Sequence, residues 1–368
     1  MRLDRKAFGR VATTFVATAM LAAFAAVPAM AAEPAANEFV IPKTFTVAAN
    51  TFRPAADFRF TVAAANVTAE ENGYYNGIEG AVNLKTPASF AAETSNTPSS
   101  NPTSMTANAT FEVTFGQGGI THAGTYKYTL TEDASSPVAG VTYDTKTYDL
   151  YVVVVNEDTA PQKLKVESVF MTNHKEGTQA TGETKVNGIT NTYGNTTDGA
   201  NTLTLTKVID GKGADKSAAY DFTIKITSSS ATTTKYYYAT TGGDTGVINS
   251  GNDGATVTLS NDERVTVYGL LDDDTYEIAE TKANADKYTT TVKMENDSDY
   301  TNYTAALTGK MSTANTDNDD NVDITVKNFR DLDDIPTTGV LLNVAPYALM
   351  VIIAATGCFV FLRKRRDD

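Results

Sequence analysis

Two strand-like segments each carry a lysine where an apolar residue belongs. Lys43 falls in phase with Phe39, Ile41, Phe45 and Val47, and Lys207 falls in phase with Leu203, Leu205 and Ile209. Side chains on a strand alternate between its two faces, so both lysines point with the apolar residues into a core. The same reading turns Glu132 inward with Tyr126, Tyr128 and Leu130, and Glu280 inward with Tyr276 and Ile278. It turns Asn191 inward with Ile189 and Tyr193, and Asn328 inward with Ile324 and Val326. Glu277 is out of phase and is expected to face water. An unpaired buried charge costs several kcal/mol. A fold that accepts these six groups must pair them, bring them to solvent at strand ends, or consume them chemically.

The third solution is available. A buried lysine is pushed toward its neutral, nucleophilic form, and a carboxyl withdrawn from water tends to keep its proton. Such a carboxyl can hydrogen-bond an asparagine carbonyl and carry protons from the amine to departing ammonia. The product is a Lys–Asn isopeptide bond, formed without oxidant or cysteine, and it removes the charges that made burial costly.

The rest of residues 32–338 also reads as strands. Thr, Val, Tyr and Phe dominate short runs such as 58–62, 125–131, 148–155 and 221–226, punctuated by Gly, Asn, Asp and Ser. No long amphipathic helix is visible between the terminal segments. This pattern predicts an all-β chain of β-sandwiches. A repeat divides it in two. Lys43 precedes Asp57-Phe58 by the same 14 residues that separate Lys207 from Asp221-Phe222. Tyr128 to Glu132 mirrors Tyr276 to Glu280, and each half closes on a short strand ending in asparagine. The expected units are 32–194 and 201–330, joined by a Gly/Asn/Asp-rich linker at 195–200.

Both ends carry addressing signals. Arg2, Arg5, Lys6 and Arg10, a small apolar stretch, and Ala29-Met30-Ala31 compose a secretory signal over 1–31. Near the other end, a spacer and motif at 331–339 contain Ile335-Pro336-Thr337-Thr338-Gly339. A 23-residue apolar run, 340–362, and a basic tail, 363–368, follow. The run is long enough to span a bilayer, with the tail on the cytoplasmic side. The pentapeptide resembles the LPxTG sorting signal of Gram-positive surface proteins, which implies sortase cleavage after Thr338 and membrane residence only before sorting.

Composition narrows the function further. The chain carries −14, and without its basic flanks (+3 and +2) the mature product carries about −19. That charge argues against nucleic acid or anionic lipid as partner. The single cysteine, Cys358, lies in the apolar run, so the mature chain has neither disulfides nor thiol nucleophiles. With only His122 and His174, no catalytic triad and no metal site or cofactor is expected. The acidic segment 317–323 lacks the calcium-loop Gly and Glu, and Asp272-Asp273-Asp274 likewise reads as a solvated turn.

Several segments carry a family resemblance: Tyr126 to Glu132, Pro137 to Asp144, the strand start at Leu203 to Gly211, and Val344-Ala345-Pro346-Tyr347. With them, the chain resembles the two-domain major pilins of streptococcal type, built from isopeptide-containing, immunoglobulin-like (CnaB-like) domains. The resemblance implies bonds Lys43–Asn191 beside Glu132 and Lys207–Asn328 beside Glu280, in a structural protein rather than an enzyme. It also implies a polymer on the cell wall, with sortase, further copies of the chain, peptidoglycan at the fibre base and minor pilins as partners. The acceptor lysine in that family precedes the last strand of the N-terminal domain, which points to Lys185, with Lys175 as the alternative. The competing reading is a monomeric wall-anchored adhesin for a host protein or glycan. Only ten residues separate Asn328 from Thr338, too few for a wall-crossing stalk, and this favours the pilin.

Overall fold

The computed structural model describes residues 35–67, 73–157, 163–174, 184–194, 201–233, 235–251, 253–281, 288–294, 297–303, 305–311 and 321–331. The secretory signal, the linker 195–200, Lys175, the sorting motif Ile335–Gly339, the apolar run and the basic tail lie outside the described residues. Every regular element among the described residues is a β-strand, numbered here β1 to β23 in chain order. The β-branched and aromatic residues that dominate these segments suit a pleated, half-buried surface.

The strands form two sandwiches in tandem. In the first, one sheet runs β4 (Val82–Thr86), β6 (Thr103–Val113), β1 (Glu38–Val47), β12 (Ile189–Tyr193), β8 (Val141–Thr142). The facing sheet runs β11 (Lys185–Val186), β10 (Leu164–Asn173), β9 (Thr147–Asn156), β7 (Gly124–Asp133), β2 (Ala56–Ala64), β5 (Ala88–Phe90), with β3 (Tyr74–Asn76) also on β7. Phe45 of β1 meets Phe58 of β2 edge-on, ring centroids 5.0 Å apart, in the shared core between the sheets.

In the second sandwich, one sheet runs β16 (Thr245–Asn249), β15 (Lys235–Thr240), β18 (Arg264–Leu270), β13 (Asn201–Asp210), β23 (Val322–Phe329), β20 (Thr289–Met294), β21 (Thr301–Asn302). The other runs β17 (Ala255–Leu259), β14 (Tyr220–Thr227), β19 (Thr275–Glu280), β22 (Leu307–Lys310). In both sandwiches the first strand pairs in parallel with the last: β1 with β12, and β13 with β23. Pro42 costs little in this ladder, because pairing with β12 begins one residue later, at Lys43 opposite Ile189.

The sandwiches touch directly. Leu271 follows β18 of the second sandwich but is buried in the core of the first. Gly140 lets it in: its φ is +77°, and a Cβ there would stand 2.4 Å from Leu271 Cδ2. Tyr193, the last residue of β12, shares a 3.0 Å hydrogen bond with Thr233, and burial pushes its phenol up to about 12. Lys235 lies over the Phe52 ring at 4.2 Å.

Two sequence expectations are corrected. The 14-residue spacing matches Phe58 with Phe222, but the ladders place Phe60 opposite Glu132 and Phe222 opposite Glu280. The structural repeat is therefore offset by two residues: the phenylalanine opposite the glutamate lies 17 residues after Lys43 in the first sandwich and 15 after Lys207 in the second. Asp274 is not part of a solvated turn. It is fully buried, and its carboxylate accepts from Ser229 N (2.7 Å), Leu271 N (2.8 Å) and the Tyr236 hydroxyl (2.7 Å). These donors offset the desolvation of the charge and fix the turn that presents Leu271.

Candidate isopeptide sites

Each sandwich gathers its lysine, glutamate and asparagine inside the core. The strand alternation is as expected: Lys43, Lys207 and Asn328 are fully buried, Asn191 is 1% exposed, and the side chains of Glu132 and Glu280 are 1% and 0% exposed. Glu277, one residue out of phase, is 42% exposed and pairs with Lys225 at 3.0 Å.

The geometry repeats closely. Lys43 Nζ lies 2.9 Å from Glu132 Oε1, and Asn191 Nδ2 donates to the same oxygen at 2.7 Å. Lys207 Nζ lies 2.8 Å from Glu280 Oε1, and Asn328 Nδ2 donates to it at 2.8 Å. One carboxylate oxygen therefore touches both the attacking and the departing nitrogen. Each lysine nitrogen is thus held against a buried carboxylate oxygen inside the core. Aromatic rings wall the amines: Phe58 and Phe60 at 4.9 and 5.7 Å from Lys43 Nζ, Tyr220 and Phe222 at 4.5 and 5.7 Å from Lys207 Nζ.

That burial sets the amine chemistry. Desolvation pulls Lys43 below the ordinary lysine value against the opposing pull of Glu132. It lowers Lys207 to about 8, again opposed by its glutamate. A lysine shifted this way has an appreciable neutral fraction near physiological pH and can act as a nucleophile.

The asparagine carbonyls differ from the expected arrangement. They do not face the glutamates, which receive the amide nitrogens instead. Asn191 Oδ1 accepts from Asp144 N at 3.0 Å, and that N–H also reaches Glu132 Oε2 at 3.1 Å. Asn328 Oδ1 accepts from the Thr290 hydroxyl at 2.7 Å. Neither donor was legible in the sequence: one is a backbone group, and the other is a threonine among many.

A further buried cluster also escaped sequence reasoning. Lys127 and Asp149 approach within 3.2 Å, and His174 Nδ1 lies 2.7 Å from the other Asp149 oxygen. Asp149 sits in a run buried on both faces of β9, where alternation gives no signal. Lys185 lies half-buried in β11, opposite Thr172 of β10. His122 contacts the Tyr126 hydroxyl at 2.9 Å.

Residues 39–194 match the family model described as a Spy0128-like isopeptide containing domain, and residues 201–328 match a domain of unknown function (DUF7601). A curated protein named pilin, from Streptococcus pyogenes serotype M1, is 28% identical over 87% of this chain and 88% of its own length. The crystal structure of the major pilin from Streptococcus pyogenes aligns with a TM-score of 0.53 at 22% identity, covering 80% of this chain and 99% of that one. The major pilin T3.2 of the same species aligns at 0.53 with 21% identity over 80% of this chain and 99% of its own. The chain is thus similar to pilins of Streptococcus pyogenes in sequence and shares the fold of the major pilins, and its residues 39–194 match the Spy0128-like isopeptide containing domain.

Proposed function

We propose that this chain is the structural subunit of a covalent surface pilus on a Gram-positive bacterium. Each sandwich closes its own Lys–Asn bond, Lys43 to Asn191 and Lys207 to Asn328. A sortase then joins Thr338 of one copy to a lysine of the next, with Lys185 the acceptor and Lys175 its alternative. Peptidoglycan holds the base of the fibre, and minor pilins complete it. The chain's own chemistry is limited to one bond per sandwich.

The observation that carries this reading is the parallel pairing of first and last strands, with a lysine and an asparagine meeting on one glutamate oxygen in both sandwiches. Tension entering at the start of β1 and leaving at the end of β12 would shear that ladder. A Lys43–Asn191 bond ties these two strands covalently, so the load bypasses the hydrogen bonds. Lys207–Asn328 does the same for β13 and β23. The short spacer before the sorting motif supports polymerisation over single anchoring.

Intact-mass measurement tests the bonds: the mature chain should be lighter than its sequence by two molecules of ammonia. Wall extracts test the polymer. They should show a ladder of high-mass species that collapses in Lys185→Ala. A full-mass chain, or a single anchored band in the wild type, would overturn the corresponding half of the proposal.

A further inference from the structure

Asn328 lies between two neighbours on its sheet. β13 on one side supplies Lys207, and β20 on the other places Thr290 directly opposite it in the ladder. The Thr290 side chain is buried, and its hydroxyl donates to Asn328 Oδ1 at 2.7 Å. Glu280 Oε1 simultaneously holds Asn328 Nδ2. Both ends of the amide are thus fixed, and its carbonyl oxygen carries a donor on the side away from the glutamate.

We propose that Thr290 is a catalytic residue of bond formation in the second sandwich, the oxyanion donor for attack on Asn328. This rests on the isopeptide reading above. Neutral Lys207 Nζ adds to Asn328 Cγ, and the electron pair of the carbonyl moves onto Oδ1. The Thr290 hydroxyl stabilises the negative charge that develops there. A proton from Nζ passes through Glu280 Oε1 to Nδ2, the Cγ–Nδ2 bond breaks, and ammonia leaves as the carbonyl re-forms. One N–C bond is made, one is broken, and no oxidant or further reactant is needed. A preorganised donor in a water-excluded core is worth far more than the same bond in water.

The first sandwich meets the same requirement differently. The Asp144 N–H serves Asn191 Oδ1 and also secures Glu132 Oε2. In the second sandwich Glu280 Oε2 is buried without a hydrogen-bond partner among the described residues. The second site therefore depends on a side chain for what the first obtains from backbone, and a substitution can separate the two reactions.

Thr290→Val, Thr290→Ala and Thr290→Ser in the mature two-sandwich chain test this. Intact mass gives the fraction of freshly purified chains lacking the second bond and the rate at which it is lost on standing. Peptide mapping assigns the bond to Lys207–Asn328. The Val and Ala variants should close this bond about 10²–10³ times more slowly than wild type while the Lys43–Asn191 bond forms normally, and Ser should restore the rate. Bond closure at the wild-type rate in Val or Ala overturns the proposal. A defect in Val that is absent in Ala marks packing and also overturns it. A wild-type chain with no Lys207–Asn328 bond overturns the isopeptide reading itself.

Discussion

Asn328 lies two residues beyond the ladder partner of Lys207: Lys207 pairs with Val326, as Lys43 pairs with Ile189, two residues before Asn191. This shared offset lets an extended lysine lean along its own strand to reach an amide on the next. A slip of one residue would turn either asparagine to the opposite face of its sheet. The parallel register is therefore as much a part of the site as the three side chains.

Because each triplet is enclosed in its own core, the two bonds should form independently. Glu132→Gln should leave the purified chain one ammonia heavier than wild type with the Lys207–Asn328 bond intact, and Glu280→Gln should do the reverse. Mass mapping of tryptic peptides separates the cases. Loss of both bonds from one substitution would contradict independent closure.

Blocking one bond should also cost stability. The closed segments are long, so by analogy with disulfide loop closure each bond contributes roughly 5 kcal/mol. Asn328→Ala, which leaves Lys207 unbonded, should lower the midpoint of urea unfolding of the second sandwich accordingly. A midpoint equal to that of wild type would show that the ladder alone carries the stability.

The same variant should respond to alkaline pH. The folded-state value for Lys207 is lowered to about 8 by burial, below the ordinary 10.5 it regains on unfolding. Between these values the unfolded chain binds the additional proton, so unfolding free energy rises with pH. Asn328→Ala should therefore gain stability from about pH 8 to about pH 10.5. In the wild type the proposed bond would make Lys207 an amide, and that component should be absent. Urea titrations across this range compare the two, and identical slopes would contradict the assignment.

Much of the site was legible because a strand has a period of two. Lys43, Lys207, Glu132, Glu280, Asn191 and Asn328 all stood in phase with apolar residues, and Glu277 did not. What could not be read was whatever breaks that link between position and environment. Asp144 acts through its backbone. Asp274 lies in a run of three aspartates that looks solvated until Ser229 and Tyr236, distant in sequence, fold over it. Asp149 occupies a strand covered on both faces. The offset between Phe58 and Phe60 is one of ladder register, which shows only once the strand that carries the glutamate is paired with its neighbour. The linker, the alternative acceptor Lys175 and the sorting motif are readings of the sequence.

Asp274 should prove a structural residue of the second sandwich. Its carboxylate satisfies two backbone N–H groups and two hydroxyls, those of Ser229 and Tyr236. Asp274→Ala leaves these buried donors unsatisfied, at roughly 1–3 kcal/mol each. The variant should lose about 3 kcal/mol or more in denaturant titration, whereas Asp272→Ala on the exposed part of the same turn should change it by less than about 1 kcal/mol. Equal effects at the two positions would mean that burial of Asp274 is not what stabilises the turn.

Leu271 ties the two sandwiches together, because it belongs to the second in sequence and to the core of the first in space. Its side chain packs against Gly140 and lies beside Tyr193, the terminal residue of β12. Removing it creates a cavity at the junction rather than within either sandwich, at a cost of about 2–5 kcal/mol. That cost should appear as lost coupling. In an Asn191→Ala/Asn328→Ala background, free of covalent ties, calorimetry should show one unfolding transition, and adding Leu271→Ala should split it in two. In the proposed fibre this coupling would matter, since a sandwich that cannot open without disturbing its neighbour resists local unfolding under load. If the transition stays single in the triple variant, the junction is held by Tyr193–Thr233 and Lys235–Phe52 instead, and Leu271 is only a spectator in the core.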